Sequence, residues 1–203
     1  VLGSVGLAQA QSPTILAGGR YQERQSGPGV KDAWEQENDI IRIWGPVLGT
    51  EDGSIRIDNQ SGISFEGEIV LNIDKEHSRV LEGVNGFPVE VRDIKEGDFI
   101  YAYIGPAMTM SLPPMTTAEM VVCQIPQDKS APGYVKVKSM QQQETGDWNL
   151  TATDGTVYHV PEDCQILPYL TRNIVRLEDV TDSSTCMVWT DAAGSVEKIV
   201  LFA

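Results

Sequence analysis

The stretch VEVRDIKEGDFIYAYIGPAM, residues 89–108, carries the strongest fold signal of the chain, because a weaker copy, IVRLEDVTDSSTCMVW, returns at residues 174–189. Aligning Asp93 with Asp179 sets one acidic turn against the other and places an apolar stretch after each turn. Asp, Gly and Ser favour tight turns, and β-branched and aromatic residues favour strands. The repeat therefore predicts a turn that feeds a β-strand, used twice in the chain.

Hairpin signals extend this β pattern to both sides of each copy. Asp52-Gly53 and Asp154-Gly155 are each flanked by alternating apolar residues, which is the signature of a tight β-hairpin. A polar stretch with proline near both ends, Pro126–Gly133, separates the two halves. Closing a sheet on itself removes the edges that short strands would expose. We predict an all-β fold of two tandem small β-barrel units, residues 30–126 and 134–203.

An extended tail and linker, residues 1–29, precede the first unit. The segment Val1–Gly19 carries no charged side chain. Its glycines each lower helix propensity by about 1 kcal/mol relative to alanine, so we predict an extended apolar tail. The small-x-small pattern at Ala8–Ala10, after apolar residues, is typical of the end of a signal peptide and predicts export.

Composition excludes several classes of function. The formal net charge is −14, so the chain lacks the basic stripe that nucleic acids or anionic membrane surfaces require. No apolar run reaches the roughly 20 residues of a membrane-spanning helix. Cys123, Cys164 and Cys186 lack the CxxC spacing of zinc or redox sites. We favour three buried thiols, with a Cys164–Cys186 bridge as the alternative.

Residues 43–125 resemble a domain of secreted and cell-wall proteins from clostridial and related anaerobic bacteria. The resemblance lies in Asp93–Asp98 (DIKEGD), Ala102-Tyr103 and the loop Pro106–Pro114, which reads PAMTMSLPP. It implies an extracellular, OB-like β module of undefined function, without catalytic residues. The second half lacks the Gly-Asp pair and the whole loop, so any role of the loop belongs to the first half.

Clustered methionines make the Pro106–Pro114 loop a candidate binding site. Thioethers are soft ligands that suit Cu(I), and Met108, Met110 and Met115 lie close together in sequence beside Pro113. Methionine also fills irregular gaps in cores and interfaces, which is the interpretation that we favour. We predict no metal site and no cofactor, and keep loop binding through these four residues as an alternative.

Acidic and histidine residues offer weaker signals. Glu51-Asp52 and Asp74–Glu76 do not fit a calcium-binding loop, so we interpret them as solvated turns. His77 and His159 lie at the ends of equivalent segments, but no nucleophile motif accompanies them. We therefore predict that the protein is not an enzyme. The strand-spaced aromatic residues are interpreted as core, with sugar stacking on a barrel face as the alternative.

The favoured function is a non-enzymatic extracellular structural subunit that assembles into a filament. Strand addition uses main-chain hydrogen bonds for affinity and side-chain pockets for register, which suits the uncharged tail. Head-to-tail donation does not close on itself and produces fibres. The predicted groove-filling residues are Val1, Leu2, Val5, Leu7, Ile15 and Leu16. The alternative is a secreted or wall-associated module that binds a glycan or metal through the Pro106–Pro114 loop.

Overall fold

The computed structural model describes residues 40–202, which form two six-stranded β-sheets, and the all-β prediction is confirmed. The strands of the first sheet are β1 (Ile41–Glu51), β2 (Ser54–Asn59), β3 (Gly67–Asn72), β4 (Arg79–Glu82), β5 (Phe99–Ile104) and β6 (Met115–Cys123). Those of the second are β7 (Gly133–Gln142), β8 (Trp148–Ala152), β9 (Val157–Val160), β10 (Gln165–Pro168), β11 (Thr185–Thr190) and β12 (Val196–Phe202). Short 3-10 turns, Val91–Asp93 and Leu177–Asp179, precede β5 and β11.

The first sheet closes into a five-stranded barrel. Its strand order is β3-β2-β1-β5-β6-β4, and β3 also pairs with β6 in parallel, so one predicted barrel is confirmed. Alternate residues of β2 and β3 point inward because successive side chains of a strand face opposite sides. Ile43, Ile57 and Ile100 are fully buried there. The small strand β4 lies outside the barrel and pairs in parallel with the end of β6.

Two residues of the barrel wall, Gly45 and Asn59, are difficult to replace by other amino acids. Gly45 of β1 passes so close to β2 that an added Cβ would overlap the carbonyl oxygen of Asp58. Asn59 is a buried polar residue whose amide group donates hydrogen bonds of 2.8 Å to the carbonyls of Ile63 and Phe65. These bonds satisfy backbone acceptors of the loop that joins β2 to β3, and thereby hold that loop against the barrel.

The second sheet has the same strand order, β10-β12-β11-β7-β8-β9, but β9 and β12 form no ladder within residues 40–202. The cause lies in the connections before β6 and β12. Met120 and Lys198 occupy matching positions, opposite Tyr103 and Trp189. Five residues of β6 (115–119) precede Met120, whereas two residues of β12 (196–197) precede Lys198. The ladder with β3 uses residues 115–117, so β12 begins too late to make its equivalent.

A third apolar cluster joins the two sheets, both of which belong to one unit, Gln36–Ala203. Its buried members are Leu81, Tyr103, Met120, Val122, Met187, Val200 and Phe202. Two hydrogen bonds also connect the first half of the chain to the second. In one, the Tyr103 hydroxyl accepts the backbone N–H of Tyr134 at 3.0 Å. The indole Nε1 of Trp189 donates to the carbonyl of Gly83 at 2.8 Å. Among residues 40–202, no helix has the length and hydropathy needed to cross a membrane.

Candidate functional site

The outer edge of β4 is covered by residues 87–89, where the chain folds back along the strand. The N–H of Val89 donates to the carbonyl of Val80 at 2.8 Å, and the N–H of Glu82 donates to that of Phe87 at 2.9 Å. The Glu82 carboxylate also accepts the N–H of Val84 at 2.6 Å, which stabilises the intervening turn. Exposed strand edges can pair with further strands. Residues 87–89 therefore prevent such pairing at the edge of β4.

The outer edge of β10, the counterpart of β4, is uncovered among the described residues. Arg79 pairs with Met120 and Gln165 with Lys198, which sets Pro168 at the position of Glu82. Proline has no N–H and cannot donate the bond that Glu82 makes. The N–H of Tyr169 donates inward to Leu201 at 3.0 Å. Because these groups alternate along a strand, the backbone groups of Ile166 point outward.

Exposed apolar side chains lie on β10 and in the segment that follows it. Leu167 is 38% exposed, although its counterpart in β4, Leu81, is fully buried. Leu170 and Ile174, in the segment that follows β10, are 65% and 87% exposed. An edge strand with unpaired backbone groups and exposed apolar neighbours favours pairing with another strand. We define the β10 edge as Ile166 to Pro168 together with Leu170 and Ile174.

The predicted strand-donor residues lie outside residues 40–202. They are Val1, Leu2, Val5, Leu7, Ile15 and Leu16. Strand donation by them therefore stays a prediction. The described residues include the uncovered β10 edge, and strand edges of this kind can pair with an added strand.

The predicted methionine loop is held in place by its own hydrogen bonds. The N–H of Thr109 donates to the carbonyl of Met115 at 2.9 Å, and the Thr109 hydroxyl accepts the N–H of Met115 at 2.8 Å. Met108 packs against the barrel core, whereas Met110 is 99% exposed and Leu112 is 87% exposed. Met115 belongs to β6 and helps close the barrel opposite Val70. Because these methionines have different surroundings, the loop does not favour a shared Cu(I) site.

A cavity of about 680 Å³ lies beside the β1–β2 turn and the loop before β4. Its charged lining mixes both signs and comprises Glu51, Asp52, Asp74, Lys75, Arg79, Glu90 and Arg92. The backbone N–H of Glu76 and the ring of His77 both hydrogen bond to Asp74, and they hold the pKa of that carboxyl below its usual value. Within residues 40–202, no three His, Cys, Asp or Glu side chains gather as metal ligands. Asp74 Oδ1 accepts the backbone N–H groups of Glu76 and His77, and this carboxylate thereby stabilises its own turn.

Neither histidine ring hydrogen bonds to a hydroxyl in the described part of the chain. The Ser78 hydroxyl donates to the carbonyl of Ala118, while His77 contacts Asp74 Oδ1 at 3.0 Å. His159 Nε2 lies 3.5 Å from Asp147 Oδ2 on the exposed side of β9. A serine nucleophile needs a base within hydrogen-bond reach. The prediction that the protein is not an enzyme still rests on the sequence.

The three cysteines are free thiols, so the alternative Cys164–Cys186 bridge is absent. Cys123 and Cys186 are fully buried, and Cys164 is half-buried. Burial raises the pKa of Cys123 and of Cys186 to about 12, and that of Cys164 to about 11. Because the thiolate is the reactive form, the fully buried Cys123 and Cys186 are protected from alkylation in the folded chain, and Cys164 is the more accessible thiol.

Iodoacetamide at pH 8 is expected to add at most one label to the folded protein, at Cys164, and three labels after unfolding in urea. Intact-mass spectrometry measures the number of labels. Cys164→Ser should remove the single native label and leave two in urea. Two or more labels on the folded chain would contradict the burial described above.

Sequence reasoning missed the β10 edge, although one signal for it was present. Aligning the repeats places Pro168 where the first half has Glu82, and a proline there prevents the chain from covering its own strand. A comparison with protein-family models found no match, and a comparison with curated protein sequences found none either.

Proposed function

We propose that the protein is an exported, non-enzymatic structural subunit that assembles by donating a strand from its N-terminal tail to the β10 edge of another copy. The open β10 edge is the observation that supports this function. The second half then acts as an OB-like unit whose outer edge is completed by the donated strand. The first half, whose equivalent edge is covered, accepts no donor.

The chemistry of the edge suits a short extended donor. Ile166 offers an outward N–H and C=O, and Pro168 offers a C=O, so a donor would form main-chain hydrogen bonds there. Leu170 and Ile174 would cover the apolar side chains of the donor. The segment Ser12–Gly18, SPTILAG, is uncharged and carries Ile15 and Leu16.

The chain is long enough for donation between copies. Residues 19–39 separate this segment from the described part, and an extended chain spans about 3.3 Å per residue. The reach is therefore up to roughly 70 Å. A donor on one copy and an acceptor on the next form a head-to-tail contact, which propagates as a fibre.

The test compares assembly of the full chain with three variants by negative-stain electron microscopy and analytical ultracentrifugation. We expect fibres from the full chain and monomers from a chain that lacks residues 1–19. Leu170→Lys with Ile174→Lys should also give monomers, because charge on an exposed edge opposes pairing. Met110→Lys with Leu112→Lys is the matched control, since these are also exposed apolar side chains, and it should still form fibres.

Monomers from the full chain would overturn the proposed function. Fibres from the chain without residues 1–19 would show that the tail is not the donor. Fibres from the Leu170 and Ile174 variant would move the acceptor away from the β10 edge. Circular dichroism of each variant confirms that its β-sheet content matches that of the parent.

A binding module that uses the Pro106–Pro114 loop is the second candidate. The full exposure of Met110 on a loop tied by hydrogen bonds favours it, because such loops present side chains to partners. A glycan or Cu(I) that binds the parent chain but not the Met110→Lys and Leu112→Lys variant would support this function. Equal binding by both proteins would remove the loop from consideration.

A further inference from the structure

A second cavity, about 270 Å³, lies between the start of β1, the start of β7 and the β8–β9 turn. The side chains that give it chemical character are Arg42, Tyr103, Tyr134, Lys136, Asp154 and Tyr158. Ligand pockets combine apolar or aromatic walls with a few placed polar groups, and this cavity has both. It is distinct from the β10 edge and from the methionine loop.

Arg42 is the residue of this cavity with a buried nitrogen that has no hydrogen-bond partner among residues 40–202. Its guanidinium carbon lies 4.4 Å from the ring centre of Tyr101 and 5.9 Å from those of Trp44 and Tyr103. The Nε atom is buried without a hydrogen-bond partner, and Arg42 forms no ion pair within residues 40–202. A guanidinium carries five N–H donors and stays charged, so Arg42 keeps donors available to an acceptor.

Two other basic residues of these sheets have acidic partners. Arg56 pairs with Glu68 at 3.1 Å, and Lys136, at the rim of the cavity, pairs with Glu119 at 3.6 Å. The chain has nearly twice as many acidic as basic residues, 29 against 15, so an unpaired arginine is not explained by a shortage of carboxylates. Asp154 lines the same cavity and still forms no ion pair with Arg42.

The tyrosines supply walls and hydroxyl donors. Burial raises the pKa of Tyr158 and of Tyr134, which keeps both phenols protonated at neutral pH. A protonated phenol donates a hydrogen bond to an anionic oxygen, and its ring packs against a flat ligand. Arginine and carboxylate form paired, parallel hydrogen bonds, the strongest match that a guanidinium makes with a small organic anion.

We propose that this cavity binds a small ring-bearing carboxylate, with the carboxylate on Arg42 and the ring against Tyr103 and Tyr158. The volume suits one six-membered ring, because pockets for larger, drug-sized ligands begin near 300 Å³. A sugar acid and an aromatic acid share this chemistry. The proposal is independent of strand donation, since none of these residues belongs to the β10 edge.

Isothermal titration calorimetry on the full chain tests the site with two acids, D-glucuronate and benzoate, each beside a neutral analogue, D-glucose and benzyl alcohol. We expect one acid to bind at least tenfold more tightly than its neutral analogue, and the two arms decide between sugar and aromatic acids. Arg42→Lys keeps the charge but loses the planar pair of donors, and should weaken binding at least tenfold. Arg56→Lys is the matched control and should bind like the parent. Asp154→Asn should bind more tightly, because it removes a nearby negative charge.

Three results would overturn the proposal. The first is that neither acid binds the parent chain. The second is that Arg42→Lys binds an acid as tightly as the parent does. In the third, binding appears only when Glu37 and Asp39 are changed to Gln and Asn, which would assign Arg42 to the chain's own carboxylates. Circular dichroism of Arg42→Lys must match the parent, and Asp154→Asn provides a second variant that tests the site in the opposite direction.

Discussion

Gly45→Ala is expected to lower the free energy of unfolding by roughly 3 kcal/mol or more, a large effect for one added methyl group. The new Cβ would overlap the carbonyl oxygen of Asp58, which is backbone in the neighbouring strand β2. Relief requires the two strands to separate, and that disturbs the buried side chains Ile43 and Ile57. Urea unfolding followed by circular dichroism measures the loss.

Gly49→Ala is the matched control in the same strand. There the added Cβ would lie 2.8 Å from Nη2 of Arg56, the far end of a flexible side chain. That side chain can move, so we expect a change within about 1 kcal/mol. Equal effects at Gly45 and Gly49 would show that β1 and β2 do not approach each other as closely as the structure places them.

Trp189→Ala is expected to lower the free energy of unfolding by about 3 kcal/mol, the lower end of the range for buried tryptophans because the residue is half-buried. The indole joins the two sheets: its Nε1–H donates to Gly83, and its ring packs beside Gly86. The Lys198 ammonium lies 4.2 Å from the ring centre and also donates to the carbonyl of Val84 at 2.8 Å. Removing the ring therefore removes contacts to the first sheet and the support of Lys198.

Trp189→Phe separates the ring from its hydrogen bond. It keeps an aromatic surface but leaves the Gly83 carbonyl without its donor, so a loss of about 1 kcal/mol is expected. Urea unfolding measures both variants. A loss below 1 kcal/mol for Trp189→Ala would mean that the contact between the sheets contributes little to stability.

Local pattern was enough to predict the hairpins. Asp52-Gly53 and Asp154-Gly155 each join a pair of antiparallel strands, β1–β2 and β8–β9, as the sequence indicated. Strand β4 was missed, because Arg79–Glu82 is short, follows a charged stretch and has no alternation of its own. Its pairing with β6 arises from the tertiary structure, and such context routinely overrides local propensity.

The candidate sites were harder to predict than the strands. The covering of β4 depends on the N–H and carboxylate of Glu82, and the absence of covering at β10 depends on Pro168. The aligned repeats show that Pro168 replaces Glu82, but only the hydrogen bonds of the structure show that Glu82 helps to cover its strand. The Arg42 cavity joins residues far apart in the chain, such as Tyr103 and Tyr158. No local spacing could reveal that cavity.

Each sheet is built from one continuous half of the chain, so the two sheets can form one after the other during synthesis. The first sheet uses residues 41–123 and the second uses residues 133–202, with no strand exchanged. Domains generally fold as units, with the N-terminal part first as the chain emerges from the ribosome. The first barrel can therefore be complete while Leu81, Met120 and Val122 are still exposed to solvent. These side chains become buried only when the second half has emerged and packed against them.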